Sequence, residues 1–244
     1  MATNLIRNLQ TTQPRGTPFD SASLRKLGIS SALAHEYIQT GWLARLGRGV
    51  FMFAGNELVR DSSIKFLERR ISGLHVAGKT ALAWRGFQQN LAHKETLCLW
   101  GGTKAVLPDW FLERFPARYS APRLFGEDLP AGFGLAALPE SPDGPLVSVP
   151  ERALLEMLSE VGVHQEVGEA RGIMETLRQL RTRELGVLLR SCRMIKTVRL
   201  CVVWAEEFEL PWAAPAREAA AHRWGTNRWI KRLKDGRTLI LKPR

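Results

Sequence analysis

Cysteine is scarce in this chain, and the few cysteines present are not spaced for metal binding. The 244 residues include only Cys98, Cys192 and Cys201, and no two of them form a C-x-x-C pair. All three stand in apolar surroundings, so we expect reduced and mostly buried thiols, as in a cytoplasmic protein. The spacing gives no support for a zinc or disulfide framework.

Long apolar runs are also lacking. The first residues, MATNLIR, contain no apolar segment of the kind that forms the centre of a signal peptide. No run approaches the roughly 20 apolar residues that cross a bilayer. We therefore expect a cytoplasmic protein with no membrane partner.

Familiar catalytic patterns are missing as well. There is no G-x-S-x-G, and the histidines are scattered without i,i+4 or H-x-E spacing. Glu151 and Glu156 do not share a helical face, so they make a poor acid–base pair. Arg152 and Glu156, at i,i+4 spacing, are expected to pair on the surface of a helix. These patterns favour a protein that is not an enzyme and has no cofactor and no metal.

Acidic residues are outnumbered by basic ones. The chain has 35 Lys and Arg against 24 Asp and Glu, a net charge of +11 and a pI near 10.2. Such a balance favours a polyanionic partner. A hydrophobic content of 45% at this length is enough for a sizeable core in one or two domains.

The stretch from residue 20 to residue 40 predicts two helices joined by a tight turn. Asp20 or Ser21 can cap the first helix, Gly28 supplies the turn, and Ser30 or Ser31 can cap the second. Apolar residues at helical spacing turn one face of the second helix inward. The other face is small or polar, and we expect it to lie outward and to enter a DNA major groove, roughly 12 Å wide. The residues expected to contact bases are Ser31, Ala34, His35 and Gln39.

A basic hairpin follows the second helix. Residues 42–46 and 49–53 read as two short strands, with Arg45 and Arg48 on or near the tip. The order helix, turn, helix, hairpin is that of a winged helix-turn-helix, in which the hairpin contacts phosphate or the minor groove. Arg25 and Lys26 would hold the DNA backbone. The alternative is a small packed subdomain whose arginines are merely solvated.

Residues 54–56, Ala-Gly-Asn, close the hairpin, so we predict a domain boundary near residues 57–63. Residues 1–60 would form the winged helix-turn-helix, and residues 61–244 a larger mixed domain. Strands are expected in the middle, at residues 96–100 and within 117–138, and mostly helices after Pro150. The fold class is therefore α+β.

Residues 73–80 read GLHVAGKT, a full match to the phosphate-loop pattern. A phosphate loop must follow a buried strand, whereas the preceding residues 64–71 read as a charged helix. We therefore interpret Gly78 and Thr80 as the start of a helix. A nucleotide-binding enzyme that uses this loop is kept as an alternative function.

The C-terminal tail is strongly basic, with two interleaved tryptophans, Trp224 and Trp229. Such a segment can follow a nucleic-acid backbone and stack on bases, which makes an RNA-binding protein a further alternative. The other interpretation is that the tryptophans pack against the domain and the charges are solvated. The basic residues are Arg217, Arg223, Arg228, Lys231, Arg232, Lys234, Arg237, Lys242 and Arg244.

Three segments together carry a family resemblance: TGWL through GVF (residues 40–51), HVAGKTALAWRGF (75–87) and VSVPERALLEML (147–158). They resemble the AbiEi-type antitoxins of type IV toxin–antitoxin systems, which act in abortive infection against phage. The resemblance implies an N-terminal winged helix that binds inverted repeats in double-stranded DNA at its own promoter and represses its operon. It also implies a C-terminal domain that counteracts a nucleotidyltransferase-like toxin, usually without a stable complex, and a helix start in place of a phosphate loop.

Overall fold

The computed structural model describes residues 2–87, 96–225, 228–232, 236 and 238–241. The fold is mixed α+β, as predicted: eight of the ten described strands lie before residue 150, and helices follow one another from there to residue 220. The described helices are α1 (Ala2–Thr12), α2 (Ser21–Lys26), α3 (Ser31–Gln39), α4 (Arg60–Glu68), α5 (Gly78–Trp84), α6 (Asp109–Arg114), α7 (Pro150–Glu160), α8 (Val167–Thr176), α9 (Thr182–Ser191), α10 (Ile195–Glu207) and α11 (Ala213–Ala220). The described strands are β1 (Phe19–Asp20), β2 (Leu43–Gly47), β3 (Val50–Phe53), β4 (His75–Val76), β5 (Leu97–Trp100), β6 (Ala117–Ser120), β7 (Leu135–Ala136), β8 (Val147–Ser148), β9 (Trp229–Arg232) and β10 (Thr238–Leu241). Within the described ranges, no helix is both long and apolar enough to span a membrane.

The N-terminal elements follow the order of a winged helix-turn-helix, with a small core of their own. Strands β1, β3 and β2 form an antiparallel sheet in that order. Strand β1 was not predicted, because two residues after a Pro- and Thr-rich loop show no alternation. The core beneath the sheet is formed by Ile6, Leu9, Phe19, Leu24, Ile29, Ala34, Tyr37, Leu43, Phe51 and Phe53.

Local hydrogen bonds explain why the two helices of this motif start and stop where they do. The Asp20 carboxylate accepts the Ser23 N–H at 2.8 Å and caps α2. The Ser30 hydroxyl accepts the Leu33 N–H at 3.2 Å and caps α3. Between them Gly28 has φ +79°, a conformation that glycine adopts without strain. The predicted helix, turn and helix are therefore confirmed.

A five-stranded mixed sheet lies in the middle of the larger core, in the order β6-β5-β4-β8-β7. The pairs β5–β6 and β4–β8 are parallel, and β4–β5 and β7–β8 are antiparallel.

Helix α4 begins at Arg60, four residues before the start that the sequence predicts. The difference arises because residues 60–63 are polar and give no apolar signal. The Ser63 hydroxyl in this first turn donates to the Val59 carbonyl at 2.7 Å.

The tip of the β2–β3 hairpin packs against this larger core. Val50 belongs to the larger hydrophobic cluster rather than to the N-terminal one. Gly47 lies so close to Trp110 that a Cβ atom there would be 3.4 Å from the indole Cδ1. Arg70, just after α4, forms an ion pair with Asp20 at 3.2 Å. The hairpin and the cap of α2 are thus tied to the body of the protein.

The C-terminal residues form an antiparallel ribbon, β9–β10, in which Ile230 pairs with Ile240. The apolar residues 239–241 of the basic tail belong to β10, and β9 was not predicted. Before the ribbon, the buried Arg199 donates to the carbonyl oxygens of Trp224 at 2.6 Å and Gly225 at 2.8 Å. These contacts anchor the chain where it leaves the helical region.

Candidate nucleic-acid interface

An open groove of about 590 Å³ separates α3 from the β2–β3 hairpin. Five of the residues predicted to contact DNA line it: Arg25, Ser31, Ala34, His35 and Arg45. The other three predicted contact residues, Lys26, Gln39 and Arg48, lie outside it. Its lining includes two arginines and no carboxylate, so the groove is cationic.

Helix α3 presents a narrow polar stripe to solvent. Ser31, His35 and Gln39 are all exposed and follow one another at four-residue spacing, so they lie on one face. The expected outward position of Ala34 is wrong, because this side chain is only 4% exposed. Ala34 stands three residues before Tyr37 on the inward face, and it packs in the N-terminal core at the floor of the groove.

The hairpin places its two arginines on different sides. Arg45 of β2 is exposed, lies opposite Phe51 of β3, and donates from Nε to the Gly47 carbonyl at 3.3 Å. Arg48 is exposed in the turn and borders a separate cavity against Trp110. Arg45 therefore faces the α3 groove, whereas Arg48 lies on the side of the tip that faces Trp110.

The last turn of α2 supplies two further cations. Arg25 and Lys26 are both exposed, and Arg25 lines the groove together with Arg45. Phosphate contacts fix the position of a protein on DNA and do not read the base sequence. Long, flexible cationic side chains around a groove can make such contacts. The groove thus has two basic side chains, and α3 contributes the polar Ser31 and His35 to its lining.

Residues 73–80 do not have the arrangement of a phosphate loop. The element before the pattern is helix α4, as predicted, and strand β4 lies inside the pattern rather than before it. Helix α5 begins at Gly78, which confirms the predicted helix start. The Gly78 N–H donates to the Glu156 carboxylate at 3.0 Å, and Lys79 Nζ lies 3.0 Å from Glu169. The groups that would bind phosphate are therefore engaged by carboxylates.

Glu156 is the centre of a buried polar network that the sequence did not reveal. Its carboxylate is unexposed and contacts His75 Nε2 at 3.1 Å, the Ser148 hydroxyl at 2.8 Å and Arg152 Nε at 2.8 Å. The predicted Arg152–Glu156 pair exists, but its expected surface position is wrong, because this side of α7 packs on α5 and β8. The network joins two of the three segments that carry the family resemblance.

The same network sets the charge of Glu156. Burial by itself raises the pKa of this carboxyl, but the contacts with His75 and then Arg152 outweigh burial and lower the pKa from 4.5 to about 2. The folded state thus holds Glu156 ionised at pH values where an unfolded chain protonates it.

We therefore expect acid to weaken the fold through Glu156. Because the pKa of Glu156 is lower in the folded state, this stabilisation is complete above about pH 5 and is lost as pH falls from 4.5 towards 2. The full loss corresponds to roughly 3 kcal/mol. Urea unfolding at pH 5.5 and pH 3 would measure the loss in the natural chain. Glu156→Gln should show a flatter acid limb, and an equally steep limb in that variant would contradict this assignment.

The remaining candidate groups support no metal or thiol chemistry. Across residues 2–87 and 96–225 and the described part of the tail, no cluster of three His, Cys, Asp or Glu residues could hold a metal ion. Cys98, Cys192 and Cys201 are free and buried, as predicted. Burial raises the pKa of each thiol, which keeps it protonated and unreactive.

Comparisons with known proteins cover nearly the whole chain. A family model described as "Transcriptional regulator, AbiEi antitoxin N-terminal domain" matches residues 2–93. A second, described as "Transcriptional regulator, AbiEi antitoxin, Type IV TA system", matches residues 94–240. No curated protein sequence matches. The crystal structure of the RV2827C protein from Mycobacterium tuberculosis is similar in fold, with a TM-score of 0.61 and 14% identity over 93% of this chain and 82% of that chain. Together the two family matches show that the chain belongs to the AbiEi antitoxins, transcriptional regulators of type IV toxin–antitoxin systems.

Proposed function

We propose that the protein represses its own operon by binding inverted repeats in double-stranded DNA at its promoter. The observation that supports this most is the exposed stripe of Ser31, His35 and Gln39 beside a groove that Arg25 and Arg45 help to line. A polar helix face between cationic elements suits a duplex, because base edges and phosphates are then met together. A repressor acts where its operon lies, which we take to be the cytoplasm.

In this proposal each element has one task. The α3 stripe contacts base edges, Arg45 and Arg48 contact phosphate or the minor groove, and Arg25 and Lys26 hold the backbone of the duplex. Ala34 is not included, because it is buried. We assign residues 1–60 to the DNA-binding domain and residues 61–244 to the antitoxin domain. Among the described residues, the N-terminal hydrophobic core ends at Phe53, and the larger core, apart from Val50, begins at Ile64.

The two kinds of contact have different expected signatures. His35→Ala should change the preferred base at one or two operator positions, with a loss of about 1–3 kcal/mol at those positions only. Lys26→Ala should weaken all sequences alike and reduce the salt slope by about 1. Fluorescence anisotropy with the fragment upstream of the gene and single-base variants of it measures both. A uniform loss in His35→Ala would contradict base reading by α3.

The antitoxin role is proposed from the family and is separable from DNA binding. We propose that the chain counteracts a nucleotidyltransferase-like toxin without forming a stable complex with it. Co-expression with a nucleotidyltransferase-like toxin tests this by growth rescue. A chain that carries Arg45→Ala and Arg48→Ala, expressed from an unrelated promoter, should still rescue growth. A stable complex in size-exclusion chromatography would contradict the indirect mechanism.

The C-terminal ribbon supports a second candidate function, RNA binding. Arg228 and Arg232 are exposed and flank Ile230, which is 55% exposed. Arginines beside an apolar side chain can follow a single strand and contact its bases. Gel shifts with single-stranded RNA would favour this function if Arg228→Ala together with Arg232→Ala abolished binding while promoter DNA was still bound.

A further inference from the structure

A small cavity lies between the hairpin tip and the body of the protein; we call it the junction cavity. Its volume is about 250 Å³, and it does not belong to the α3 groove. Phe66, Ile71 and Trp110 form an apolar floor, and Val106 stands at its edge. Ligand pockets for drug-sized molecules measure about 300–1,000 Å³, so this one suits a molecule of one or two rings.

Two guanidinium groups border this apolar floor. Arg70 stacks over the Phe66 ring at 4.5 Å and has one ion pair, with Asp20 at 3.2 Å. Arg48 also lines the cavity and forms no ion pair or hydrogen bond with the residues that the structure describes. Guanidinium groups bind carboxylates by two parallel hydrogen bonds and are favoured where an anion meets an aromatic surface.

Val106 adds an independent observation. This valine is 90% exposed, the largest exposed fraction among the exposed large apolar side chains of the described residues. It stands on the edge of the junction cavity, where a ligand with an apolar body would cover it. The cavity thus combines an uncovered apolar edge, an aromatic floor and an unused cation.

We propose that the junction cavity binds a small planar aromatic carboxylate, and that this ligand weakens DNA binding. The carboxylate pairs with Arg48 and Arg70, and the ring lies between Trp110 and Val106. The second half of the proposal rests on the proposed function, in which Arg48 contacts DNA. A ligand bound to Arg48 competes with DNA phosphate for this side chain. A ligand that breaks the ion pair between Arg70 and Asp20 weakens the contact between the body of the protein and the residue that caps α2.

Calorimetric titration of the full chain with 2-naphthoate tests the site without DNA. We expect saturable binding at one site, and at least tenfold weaker binding of the neutral 2-naphthalenemethanol. Arg70→Met, which keeps the apolar stem over Phe66, should weaken naphthoate binding about tenfold. Val106→Glu, at a position too exposed to affect folding, should do the same, and the exposed Arg69→Met, outside the cavity, should change nothing.

Three results would overturn the site: no saturable binding, equal binding of the neutral compound, or unchanged binding in both Arg70→Met and Val106→Glu. Anisotropy with promoter DNA then tests the coupling. Saturating naphthoate should weaken DNA binding about tenfold, and unchanged DNA affinity would overturn the coupling. If no DNA binds at all, the proposed function fails while the calorimetry still decides the site.

Discussion

Replacing Glu156 with alanine should lower the free energy of unfolding by about 3–5 kcal/mol, the usual cost of breaking a buried ion pair on one side. The variant would leave the buried His75 ring and the Arg152 guanidinium facing an empty space, and the Ser148 hydroxyl and Gly78 N–H without their acceptor. Urea denaturation followed by circular dichroism at pH 7 measures the loss.

A matched variant separates this effect from a general loss of negative charge. Glu175 lies in the last turn of α8 and is exposed. Glu175→Ala removes the same charge from the surface, and we expect a change of no more than about 0.5 kcal/mol. If the two variants were equally stable, the network would not join α5, α7 and β8 in the way described.

Removing both hairpin arginines should produce the largest change in DNA binding. For the chain with Arg45→Ala and Arg48→Ala we expect about 100-fold weaker binding at 0.15 M salt, because two charge-assisted contacts are lost. The slope of log K against log salt should fall by about 2, since two fewer counterions are released. Anisotropy at four salt concentrations gives both quantities.

The control for this pair removes two charges elsewhere. Arg178 and Arg183 are exposed at the junction of α8 and α9, far along the chain from the hairpin. A chain with Arg178→Ala and Arg183→Ala has the same net charge as the hairpin variant, and it should keep at least a third of the natural affinity. Equal losses in both chains would mean that net charge, rather than the hairpin, drives binding.

Local signals in the sequence were sufficient for the helix-turn-helix and the hairpin. Asp20, Ser30 and Gly28 each act within a few residues of their own position, so their effect can be read without knowing the fold. Pro150 and the apolar stripe of α7 are of the same kind. The family resemblance, carried by three short segments, is confirmed by family models over residues 2–240.

What the sequence did not show depends on contacts between distant residues. Glu156 meets His75 across 81 positions, and Arg70 meets Asp20 across 50, and no local pattern marks either pair. The sequence predicts an outward Ala34 because a small residue suits either face of a helix. Only the packing of α3 decides which face this residue occupies. The DNA-contact roles and the boundary near residue 60 remain predictions.

Footprinting on DNA decides whether α3 and the hairpin together hold a duplex. Hydroxyl-radical footprinting of the full chain on the DNA upstream of its gene should show protected half-sites spaced by about one helical turn or a multiple of it. The same protection should be absent in a chain with His35→Ala, Arg45→Ala and Arg48→Ala. No protection by the natural chain at low salt, or unchanged protection by the triple variant, would contradict the claim.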